Sequence, residues 1–168
     1  MEIYKIKAQT HYRFLKSILL YIVLTAVGMP IISYFRKGYV DWEASMTGGL
    51  WGLVLLVTPA VLMHFNYYST NKNMVVYYEE SKKQLRVSDK DRDVTFTMSD
   101  IESVKDFKTY PKAENRTTWF PWDEYHYSLV ELKNGEKFYF TSLILPNLDL
   151  PIDKSKITLK KRFYPAIW

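Results

Sequence analysis

Cysteine is absent from the 168-residue chain. Its absence excludes a disulfide framework, thiol catalysis and thiolate-bound metal. Histidine is scarce: His11, His64 and His126 are the only three, and none stands at metal-ligand spacing from another ligating residue. Glycine is scarce too, with six in all, and none forms a phosphate-binding loop. Asp123 and Glu124 are adjacent, so in an extended segment they point to opposite faces and make a poor acid–base pair. The sequence therefore predicts no catalytic residue, no metal site and no cofactor. It does not exclude a binding role.

Charge is missing from one stretch. Residues 17–71 carry only Arg36, Lys37, Asp41 and Glu43. Within it, Ser17–Phe35 and Thr47–Asn71 are free of charge, and a helix needs ~20 apolar residues to cross a hydrocarbon core. The first run ends at Arg36 and Lys37 without a small-residue cleavage site, which reads as a retained span rather than a signal peptide. Lys5, Lys7, Arg13 and Lys16 precede the hairpin and Lys72, Lys82 and Lys83 follow it. Those flanks outweigh the loop, where Asp41 and Glu43 offset Arg36 and Lys37. The balance predicts a membrane hairpin with both termini cytoplasmic. The net charge of +5 suits anionic headgroups better than nucleic acid.

Pro30 and Pro59 predict kinks within the two runs. Gly48, Gly49 and Gly52 give the second run a face of small residues that permits close helix packing. Thr58 and His64 are polar within it. Two readings stand: local hydrogen bonding with His64 at the interface, or the lining of a pore in a homo-oligomer. A two-helix hairpin encloses no pore alone.

Beyond residue 72 the pattern becomes short and alternating. Strands are expected at Met74–Glu80, Gln84–Ser88, Val94–Met98, Ser103–Tyr110, Tyr125–Lys133, Glu136–Thr141 and Ile157–Phe163. Asn134-Gly135 between two alternating runs is a hairpin signal. Seven short strands argue for a small antiparallel barrel or two orthogonal sheets. The expected organisation is an N-terminal segment 1–16, a hairpin 17–71 and a β-rich sensor domain 72–168.

The loop after residue 110 interleaves Lys112 and Arg116 with Trp119, Phe120, Trp122 and Tyr125. Aromatic faces stack on bases and cations neutralise phosphate, so the six are candidate contacts for a nucleotide or oligonucleotide. The competing reading has the aromatic rings filling the domain or touching the membrane surface. Lys154, Lys156, Lys160, Lys161 and Arg162 form a second basic group, suited to a solvated edge strand or to phosphate contact.

In layout and size the chain resembles two groups. One is the two-transmembrane plus β-barrel membrane effectors of bacterial nucleotide-signalled, CBASS-like anti-phage systems. The other is the bacterial pleckstrin-homology-like membrane proteins. Asp153–Phe163 lacks the apolar stripe of a closing helix, which favours the first. That resemblance implies an effector of the bacterial inner membrane: a nucleotide-like signal binds the β domain and controls a pore-forming oligomer of the hairpin. It also implies a nucleotidyltransferase as genetic partner. The second resemblance implies a membrane-anchored module binding lipid or protein.

Overall fold

A computed structural model describes residues 1–90, 92–146 and 152–167. Glu2–Tyr4 forms β1. Helix α1 runs from Ala8 to Lys37 and α2 from Trp42 to Asn71. Each has 30 residues, about 45 Å at ~1.5 Å per residue. Gly38 ends α1 at φ 76°, its N–H donating to the Tyr34 carbonyl, a conformation that glycine adopts without penalty. Asp41 starts α2 by accepting from the Ala44 N–H at 3.0 Å, as an N-cap should. Only 11% of the most apolar stretch of each helix is buried.

Among the described residues, eight strands form two open sheets. β2 (Met74–Glu79), β3 (Gln84–Asp89) and β4 (Arg92–Thr97) follow α2. With β1 they make an antiparallel sheet ordered β1-β2-β3-β4. β1 pairs with β2 through Ile3 and Tyr77, so the hairpin is inserted between the first two strands of the β domain. β5 (Ile101–Lys108), a single turn α3 (Tyr110–Ala113), β6 (Tyr127–Leu132), β7 (Lys137–Thr141) and β8 (Ile157–Lys161) follow. The second sheet is ordered β7-β6-β5-β8, with β8 parallel to β5.

The barrel expected from strand count does not form. β5 has one edge on β6 and the other on β8, so no edge remains for β4. No ladder joins the sheets among the described residues. Alternation shows which face of a strand is buried but not which edges meet.

The sheets enclose an aliphatic and phenylalanine-rich core. Val76, Leu85, Val87, Ile101, Val104, Val130 and Phe140 are each at most 2% exposed. Alternate residues on the second sheet face the other way. Tyr127, Leu129 and Tyr139 pack with Phe14 and Ile18 of α1 and with Ala60, Met63 and Tyr67 of α2. The hairpin base therefore docks on the outer face of that sheet.

Candidate docking and binding site

The site begins as one stripe of α2. Ala60, Met63, His64, Tyr67 and Asn71 are its buried residues below the first turn, spaced three or four apart so that they share a face. The stripe is hard to read in the sequence because the other faces of α2 are apolar too. Leu55, Leu62 and Phe65 are each more than 60% exposed.

Polar groups on this stripe fix its register. The Asn71 side chain donates to the Tyr139 carbonyl at 2.8 Å and accepts from the Thr141 N–H at 3.0 Å. It thereby occupies part of the free edge of β7. Asn66 makes a matching pair of bonds with the Ile167 backbone, both 3.0 Å. The Tyr67 hydroxyl donates to the Pro165 carbonyl at 2.5 Å. Residues 164–167 are thus a C-terminal strap tied to α2. His64 bridges the units: its Nε2 lies 2.9 Å from His11 Nδ1, and its Nδ1 lies 3.0 Å from the Tyr125 hydroxyl.

The loop from 110 to 126 completes the site. Asp123 shapes it, its carboxylate accepting from the Trp119 and Phe120 N–H groups at 3.0 and 2.9 Å. Glu124 pairs with Lys112 at 3.3 Å and accepts from Thr118. Phe120 stacks on Trp122 at 4.6 Å, and Phe163 and Tyr164 close over Trp122. The result is an aromatic collar beside the hairpin base. Glu124 shares a hollow with Ser17 and Leu20, so the collar reaches the start of the first uncharged run.

The six candidate ligand residues separate into two groups. Tyr125 is fully buried against Phe14 and Tyr67, and burial raises its hydroxyl pKa. Trp122 is buried, its indole N–H without a partner among the described residues. Phe120 covers Trp122, and Lys112 is held by Glu124. Only Arg116 and Trp119 share an open hollow, with Pro111, Asn115 and Thr117. There Arg116 is paired with Glu114 at 2.8 Å. Lys161 also bonds Glu114 at 2.8 Å and, with Arg116, holds that carboxyl below its ordinary range.

Within one chain the five hairpin residues face different surroundings. A Cβ on Gly48 would stand 2.3 Å from Met29, and one on Gly52 would stand 3.0 Å from Thr25. Gly49 also faces Thr25. The glycine face is thus occupied by α1 of the same chain. Thr58 faces a groove beside the strap, and His64 faces the β domain.

Sequence reasoning missed His11, Asn66, Asn71 and Asp123. Two asparagines late in an apolar run were the available signal. His126 is buried at the end of this loop, its Nδ1 3.2 Å from the Glu124 carbonyl. Burial, with Lys112 nearby, lowers its pKa to about 4.

The chain belongs to the PH domain family, whose profile matches residues 3–151. Neither a curated protein nor a solved structure matches it. The matched region runs from β1 through the hairpin to β7 and ends before β8. The chain is accordingly non-enzymatic. The family match and the open sheets overturn the resemblance to anti-phage barrel effectors. With it falls the pore-forming, nucleotide-sensing function, and the pleckstrin-homology-like alternative is the better supported.

Proposed function

We propose that this chain is a membrane-anchored PH-domain module whose hairpin spans the bilayer and whose β domain rests on the cytoplasmic surface, contacting anionic headgroups. One observation carries the reading. Two 30-residue helices, apolar all round, stand almost wholly exposed above a domain that buries only their base. A soluble core helix would be covered, and helices apolar on every face need lipid around them.

The collar supports the second half of the reading. Trp119 and Phe163 are exposed aromatic residues of the collar, and aromatic rings suit the headgroup region of a bilayer. Lys160, Lys161 and Arg162 directly precede Phe163, and Arg13 and Lys16 flank the base of α1. These five cations outnumber Glu114, Asp123 and Glu124 around the collar, although Lys161 is paired with Glu114, and the excess suits an anionic surface.

Single cysteines test the anchor, since the chain has none of its own. An impermeant reagent should label Tyr39→Cys from outside intact cells and leave Ser155→Cys unlabelled. The reverse pattern defeats the topology, and release by alkaline extraction defeats the anchor. Hydrogen exchange of residues 110–126 and 160–167 in nanodiscs should slow when phosphatidylglycerol replaces phosphatidylcholine. Equal exchange in both removes the headgroup contact.

A further inference from the structure

A groove runs along α2 on the face beside the strap. Val54, Thr58, Pro59, Leu62, Met63 and Asn66 form one wall, and Tyr164 and Ala166 close its lower end. Its volume is roughly 500 Å³, and the wall residues recur every three or four positions as one helical stripe. From Val54 to Asn66 the stripe extends ~18 Å at ~1.5 Å per residue. One leaflet of hydrocarbon is ~15 Å, half of a ~30 Å core. Its walls are almost entirely apolar. The Asn66 side chain is consumed by the strap backbone. The Tyr164 hydroxyl has no hydrogen-bond partner among the described residues, and Tyr164 is 40% exposed.

We infer that this groove holds one acyl chain of an anionic phospholipid, with its headgroup at Tyr164 and the basic residues just before the strap. The inference rests on the reading of the hairpin as a membrane anchor and names a specific lipid site within it. Three features select this occupant. The groove lies in the uncharged run Thr47–Asn71, so the molecules reaching it are those of the bilayer. Its depth matches one leaflet. Its polar end lies two residues along the chain from Arg162, whose guanidinium rests over the Phe107 ring, and four from Lys160, cations that complement a phosphate. A second hairpin is a poorer occupant. Helices associate in lipid through small residues, and the glycine face of α2 is already filled by α1.

The test uses the full chain purified in mild detergent, with phosphatidylglycerol and phosphatidylcholine as probes and native mass spectrometry as the readout. Leu62→Trp fills the groove from an exposed position, and Leu55→Trp is the control on an exposed site outside it. Thermal melting confirms that both variants fold. The wild-type chain should retain one phosphatidylglycerol, Leu55→Trp should retain it equally, and Leu62→Trp should bind at least tenfold more weakly. Arg162→Gln should reduce the preference for phosphatidylglycerol over phosphatidylcholine. Absence of a retained lipid overturns the inference, as does equal loss from both tryptophan variants. A dimer that Leu62→Trp breaks would assign the groove to a second copy and overturn it too. Failure of the anchor reading is separately visible as a chain that needs no detergent for extraction.

Discussion

The molecule has two buried regions that meet at one sheet and are built differently. Between the sheets, aliphatic and phenylalanine side chains dominate, among them Leu85, Val104, Val130 and Phe140. Between the second sheet and the hairpin, tyrosine and tryptophan join them, and Asn71, Asn66, Tyr67, His64 and Tyr125 add hydrogen bonds. Apolar burial is strong but non-directional. Hydrogen bonds add only about 1 kcal/mol each, yet a mispaired buried group costs more. The first region therefore supplies stability, and the second fixes how the domain sits on its helices.

The contrast breaks most sharply in the inter-sheet core. Phe140→Ala should cost about 3–5 kcal/mol and unfold the β domain, seen as loss of the strand signal in circular dichroism. If that variant melts like the wild type, the inter-sheet core is not the main source of stability.

Acid should act on the loop beside the second region. The pKa of His126 falls from 6.5 to about 4 on folding, so between these values the unfolded chain binds the proton and the folded chain does not. Stability present above pH 6.5 is lost as pH falls toward 4, by about 3 kcal/mol from this group. Denaturation curves at pH 7 and pH 4.5 should differ less for His126→Gln than for the wild type. An equal pH dependence in both would show that His126 is not the group responsible.

Asn71→Ala leaves the Thr141 N–H and the Tyr139 carbonyl without their partner. A loss of about 1–3 kcal/mol is expected, with faster exchange of the Thr141 amide while the inter-sheet amides stay protected. Uniform acceleration across both regions would mean that they unfold as one. The smallest effect is expected at the surface of the collar. Trp119→Ala should change stability by no more than about 0.5 kcal/mol while lessening lipid-dependent protection of residues 110–126. A large drop in melting temperature would place Trp119 in the packed scaffold.

Much of the β domain was legible because alternation is a local property. Expected strands at Met74, Gln84, Val94 and Ile157 begin within two residues of the observed ones, and Asn134-Gly135 lies in the turn between β6 and β7. β1 escaped notice, since three residues carry too little pattern to register and their partner lies beyond the hairpin. The candidate site was legible in composition but not in arrangement. The loop's aromatic residues were visible, yet burial of Tyr125 and Trp122 beside exposed Trp119 depends on which faces the strap and hairpin cover.

The sequence by itself determined two long apolar helices, the small-residue face of the second, a succession of short strands and the lack of thiol chemistry. Each follows from residues within a few positions of one another. Only the tertiary structure decided that the sheets stay open, that β8 lies parallel on β5, and that the strap closes one end of an apolar groove. These depend on competition between distant segments for the same edge or face, and the edge of β5 has room for one strand alone.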